Sequence, residues 1–171
     1  MHWGLIPNWA KDPTIGNRMI NARVESLTEK PAFRQLVQTR RCIIPADGFY
    51  EWRKEGKRKI PMWVHLKSRE PFGLAGLWDV WRNTTGKRVE SFTIITTEPN
   101  ELISKIHHRM AVILKPYDEA AWIDPKSKTD DLLGLLRPYE SDDLEAFPVS
   151  RAVNSPAHDS PACIAPAEPM N

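Results

Sequence analysis

Short apolar runs separated by turn-forming residues dominate this chain, and most have the length and residue types of strands rather than helices. Residues 2–7 form an apolar run that ends at Pro7 and predicts a strand. The stretch 8–18 holds Asp12, Pro13 and Gly16 and predicts a loop, and 19–24 is short and extended. A helix follows, with Pro31 near its first turn and Phe33, Leu36 and Val37 spaced i, i+3, i+4 on one face. Strands then succeed one another at 42–44, 48–53, 61–66, 72–78 and 91–97. Hairpin loops are expected at 54–59, around Gly56, and at 83–87, over a Thr-Thr-Gly run.

Thr97 is placed to cap a short helix with Pro99 in its first turn, running to about Lys105. A strand at 109–114 and helices at 116–122 and 130–136 complete the pattern, with Ser127 or Thr129 as caps for the last. From Asn154 the chain is rich in Pro and Ala and reads as loop or disordered tail. Neighbouring strands with interspersed helices predict an α+β single domain with a largely antiparallel, curved, barrel-like sheet and a few peripheral helices. Nothing shows the regular alternation of a doubly wound fold.

Composition narrows this only slightly. The 171 residues carry 24 basic and 22 acidic side chains, a net +2, so a nucleic-acid partner would have to be met by a local basic patch. No apolar run approaches the ~20 residues of a membrane span, and no signal peptide is seen, which leads to the expectation of a cytoplasmic protein that contacts no membrane. Cys42 and Cys163 form no CxxC pair and show no metal-ligand spacing; two reduced thiols are expected. Seven tryptophans is a high count, and Trp can fill a core or stack on bases.

Five segments put polar residues where apolar ones would be expected: around Trp3 to Trp9, Ile20 to Arg23, Ala46 to Trp52, Ile106 to Met110, and Pro148 to Ala152. Strand alternation sets Phe49 and Glu51 on one face and Tyr50 and Trp52 on the other, so Glu51 is a partly desolvated carboxyl with acid–base capacity. His107 and His108, adjacent in a strand, point to opposite sides and would not share a metal; one could move protons. Asn21 with Arg23, and His107 with Arg109, sit two apart, which in strands puts each pair on one face, a guanidinium beside a polar group that could grip a phosphate. Trp9, in a loop, is a candidate for base stacking, whereas Trp3 is expected in the core. Each residue alone also has an ordinary reading: an ion-paired Glu, surface histidines, surface arginines.

Together the phrases W-G-L-I-P-N-W, I-N-A-R-V-E, C-I-I-P-A-D-G-F-Y-E-W, I-H-H-R-M and P-V-S-R-A-V resemble the SOS-response-associated peptidase (SRAP) family, the abasic-site processing proteins. They occur in the family's order from Trp3 to about Val153. The resemblance implies binding of abasic sites in single-stranded DNA. It also implies covalent capture by an N-terminal cysteine, exposed by loss of the initiator Met, whose amine and thiol close a thiazolidine on the sugar aldehyde. No cofactor and no metal are implied. Carried over, Asn21 positions the N-terminal residue or the sugar, Glu51 is the acid–base group, His107 assists proton transfer, Arg23 and Arg109 hold phosphates, and Trp9 contacts the strand.

The departure is at position 2, which is His2 rather than Cys. The expected organisation is therefore a family domain over 1–153 without its N-terminal segment, followed by a tail over 154–171. A misassigned start, a deliberate truncation and a natural fragment all fit that pattern. The missing segment is expected to leave an exposed edge or apolar groove through which the chain would form a homo-oligomer or recruit a neighbour. Three other functions stay open. A non-covalent single-stranded or abasic DNA module would need only Arg23, Arg109 and Trp9. A peptidase acting on other proteins would need a nucleophile arrangement that the sequence does not display. A purely structural domain would leave the polar residues in apolar segments unexplained.

Overall fold

The computed structural model describes residues 1–167; of the expected tail, 168–171 lie outside the described residues. In chain order the regular elements are β1 (His2–Trp3), β2 (Asn21–Arg23), α1 (Leu36–Thr39), β3 (Arg41–Ala46), β4 (Phe49–Glu55), β5 (Arg58–Leu66), β6 (Phe72–Arg82), β7 (Arg88–Thr97), α2 (Glu101–Ser104), β8 (Met110–Ala111), α3 (Pro116–Ile123), α4 (Thr129–Leu133) and β9 (Leu144–Pro148). The chain divides into two compact units. One comprises Met1–Pro45, Gly73–Thr97 and Ala111–Tyr139; the other comprises Ala46–Phe72, Glu98–Met110 and the residues from Glu140 on.

The first unit is organised on β7. It pairs antiparallel with β6 and parallel with the short strands β1 and β2, β3 lies beyond β6, and β8 joins β7 as well. Turn chemistry fixes the β6–β7 hairpin: the Asn83 side chain accepts from the backbone of Thr85 and Lys87, and Gly86 takes φ +84. The expected strand 2–7 stops after Trp3. Gly4 turns the chain at φ +118, and a Cβ there would meet the Gly16 carbonyl at 2.6 Å. Leu5 and Ile6, freed from the ladder, are buried instead. Leu27, Leu77, Ile95, Trp122 and Leu132 form the centre of the core, and Phe33, Leu36 and Val37 bury the face their spacing predicted, although only 36–39 is regular helix.

The second unit holds a separate antiparallel sheet in the order β4-β5-β9. The β4–β5 ladder runs further than expected, to Glu55 opposite Arg58, and turns on two residues with Gly56 at φ +59. The α+β class and the largely antiparallel sheets are as predicted. The single barrel-like sheet is not: there are two open sheets, and neither closes on itself, because β3 ends one path and β4 and β9 are the edges of the other. Strand β9 escaped prediction because it is five residues long, ends in Pro148 and follows two acidic residues. Thr97 belongs to β7 rather than capping a helix; Asn100 caps α2, accepting from the Ile103 N–H at 2.9 Å. Among the described residues no helix is long and apolar enough to cross a membrane.

Candidate functional site

Strand β4 starts at a tight approach. A Cβ on Gly48 would lie 2.3 Å from the Trp63 ring, so glycine is what lets the chain enter β4 over that indole. Pairing then sets Tyr50 opposite Trp63 and Glu51 opposite Met62, with the Tyr50 and Trp63 rings 4.9 Å apart. Tyr50, Trp52 and Trp63 therefore share one face, and Phe49, Glu51 and Met62 the other, as strand alternation required. The C-terminal residues bind the aromatic face: Tyr50 donates to the Cys163 carbonyl at 3.2 Å, and Trp52 Nε1 donates to Asn154 Oδ1 at 2.9 Å.

Glu51 keeps 21% of its side chain exposed. Burial pushes its carboxyl above the usual 4.5. The neighbouring His107 and a hydrogen bond from the Trp52 backbone pull the other way, and burial prevails. His107 comes from the loop after α2, whose end is fixed by the fully buried Ile103: the N–H groups of Ile106 and His107 both donate to the Ile103 carbonyl at 2.8 Å. The His107 Nδ1 atom lies 3.5 Å from Glu51 Oε2, 3.1 Å from the Arg109 carbonyl and 3.3 Å from the Arg109 N–H. Carrying a proton, Nδ1 has oxygens to donate to; without one, it accepts from Arg109. The site thus holds the imidazole in place in either state while leaving the Glu51 contact longer than a good hydrogen bond.

Two expectations about this segment are corrected. His107 and Arg109 are not in a strand, because β8 begins only at Met110; they meet through a loop turn instead. For the same reason His107 and His108 do not point to opposite sides: their rings lie 4.3 Å apart. Arg109 is half-buried in this loop. Among the described residues no three His, Cys, Asp or Glu side chains gather as a metal ion would need.

Asn21, Arg23 and Trp9 belong to the first unit. In β2, Ala22 is fully buried between Asn21 and Arg23, which both stand exposed on the same side, held by pairing to Ile94 and Thr96 of β7. Trp9 is 57% exposed on a loop pinned from three sides. Asn8 N–H donates to Asp79 at 2.7 Å, Ala10 N–H to the Pro7 carbonyl at 2.9 Å, and Trp81 Nε1 to the Ala10 carbonyl at 2.7 Å. Trp3, expected in the core, is 51% exposed, with Nε1 donating to the carbonyl of Ile20, itself 40% exposed. Its surface position was missed because the apolar run around it reads as a strand, whereas the turn at Gly4 separates Trp3 from the buried Leu5 and Ile6.

Cys42 is half-buried in β3, and desolvation pushes its thiol up to about 11. Cys163 is buried, its thiol donating to the His158 carbonyl at 3.6 Å.

The family model of SOS response associated peptidase (SRAP) matches residues 1–156. The chain is 52% identical over 166 residues to abasic site processing protein YoqW of Bacillus subtilis (strain 168), covering 96% of this chain and 74% of that protein. It is 33% identical over 194 residues to abasic site processing protein HMCES of Gallus gallus, covering 98% of this chain and 57% of that one. A crystal structure of a protein from Bacteroides thetaiotaomicron matches with a TM-score of 0.91 at 35% identity, over 97% of this chain and 75% of that chain. The chain belongs to the SOS response associated peptidase (SRAP) family.

Proposed function

We propose that this chain acts on abasic sites in single-stranded DNA, in the cytoplasm, as part of a response to DNA damage. The observation that carries the reading is the pair of Glu51, its carboxyl raised by burial, with His107. An abasic sugar rests mainly as a closed ring. Opening it removes a proton from the anomeric hydroxyl and delivers one to the ring oxygen, leaving an aldehyde. A carboxyl that exchanges protons more readily than a solvated glutamate, backed by an imidazole with partners in both protonation states, suits that task. Arg109, in the unit of Glu51 and His107, holds a phosphate; in the other unit Arg23 offers a phosphate contact, Asn21 a polar contact and Trp9 a stacking surface for the DNA.

Covalent capture is the finer part of the proposal. An amine condenses with the aldehyde, losing water, and a vicinal thiol adds to the imine to close a thiazolidine. Neither Cys42 nor Cys163 is an accessible thiol beside an α-amine, so neither supplies that thiol, and the part assigned to Glu51 and His107 is acid–base chemistry. A second reading, binding of the lesion without covalent capture, rests on Arg23 and Trp9, which both stand exposed.

Denaturing gel electrophoresis after incubation with a single-stranded oligonucleotide carrying one abasic site separates the two. Lesion-specific binding in a native gel with no band surviving denaturation supports the second reading, and a surviving band the first. Equal affinity for damaged and undamaged strands would count against both.

A further inference from the structure

The β4–β5 hairpin carries a charge pattern that the site above does not use. Residues 53–59 hold five basic side chains and one acidic one, in a chain whose total is only +2, so the rest of the chain is net acidic. Arg53 is paired with Glu55 at 3.0 Å. No ion pair reaches Lys54, Lys57, Arg58 or Lys59 among the described residues, and all four are exposed. Lys54 and Lys59 stand directly opposite each other across the ladder, a like-charge pair that opposes strand pairing. Gly56, at the turn, has nothing within 4 Å of where a Cβ would be, so the tip projects into open space. Within the hairpin the single acidic residue, Glu55, pairs with Arg53 and faces Arg58, which leaves more positive than negative charge at the tip for an anionic partner.

The same strand bears Glu51. At ~3.4 Å per residue, the turn lies roughly 17 Å along β4 from the carboxyl, a span of several nucleotides of a DNA strand. We propose that the hairpin tip, through Lys54, Lys57, Arg58 and Lys59, grips the phosphate backbone of DNA flanking the site at Glu51. The grip is independent of base sequence. The proposal rests on the reading of DNA as the substrate, and on no step of the chemistry.

The test is the salt dependence of binding, measured by fluorescence anisotropy with two long single-stranded oligonucleotides, one undamaged and one carrying a tetrahydrofuran abasic analogue. In the variant Lys57→Gln, Arg58→Gln and Lys59→Gln, the slope of log affinity against log salt falls by about 2, and low-salt affinity drops roughly tenfold on both oligonucleotides. The charge-keeping variant Lys57→Arg, Arg58→Lys and Lys59→Arg retains the parent slope. An unchanged slope in the neutral variant overturns the proposal, as does an equal loss in the charge-keeping one. Preferential binding of phosphatidylserine vesicles over DNA overturns it too. The parent's preference for the damaged strand is read separately. Its absence defeats the abasic-site reading while leaving the hairpin result intact.

Discussion

Both units bury charge, and they treat it in opposite ways. In the first unit Arg41, 9% exposed, is nearly saturated: four of the five N–H groups of its guanidinium donate, to the carbonyls of Val37, Gln38, Trp122 and Asp124. Asp79, 2% exposed, accepts from Arg40 and from the backbone N–H groups of Asn8 and Val80. In the second unit Glu51 meets His107 at 3.5 Å, longer than either partner could achieve, and its carboxyl stays raised. Burial of a charged group is therefore not what distinguishes a reactive site. A saturated group holds elements together: Arg41 ties the end of α1 to the end of α3. An unsaturated one keeps capacity for a substrate.

The contrast can be broken at several points. Arg41→Ala should cost about 3–5 kcal/mol of stability, because four carbonyls lose their donor in a nearly closed setting, and chemical denaturation measures it. A loss under ~1 kcal/mol would mean that water replaces the guanidinium easily and that saturation is not what matters there. Gly48→Ala should cost about 2 kcal/mol, as the new methyl forces the Trp63 ring aside, and would lower lesion processing by misplacing Glu51. Full stability in this variant would show that β4 enters with slack.

Glu51→Gln should have the smallest effect on folding and a sign opposite to Arg41→Ala. A carboxyl whose folded value is raised stabilises the fold fully below about 4.5, and that contribution is lost as pH rises through the raised value. Thermal unfolding from pH 4 to 8 should therefore show stability falling more steeply with pH in the parent than in Glu51→Gln. The variant should be at least as stable at pH 8. Parallel curves would show that Glu51 has ordinary solvation.

Much of this was legible in the sequence because local rules governed it. The alternation of Phe49, Tyr50, Glu51 and Trp52, the shared face of Asn21 and Arg23, and the buried triplet Phe33, Leu36 and Val37 follow from side-chain period alone. What failed depended on contacts far along the chain. Trp3 is exposed because Gly4 must turn against Gly16, and the predicted strand at His107 and Arg109 gives way to a loop because α2 ends on the buried Ile103 carbonyl. The division into two sheets was hidden because β9, the third strand of the second, lies nearly eighty residues after its partner β5 and has no strong periodic signal of its own.

The most direct test supplies the thiol and amine from outside. Free cysteine is mixed with a single-stranded oligonucleotide bearing one abasic site, and the rate of thiazolidine formation is followed by mass spectrometry with and without the protein. The account predicts that the parent chain accelerates the reaction, that Glu51→Gln removes about 10²–10⁴-fold of the acceleration, and that the variant still binds the oligonucleotide. Equal rates for parent and Glu51→Gln, with binding intact, would show that the Glu51 and His107 pair is not the acid–base centre.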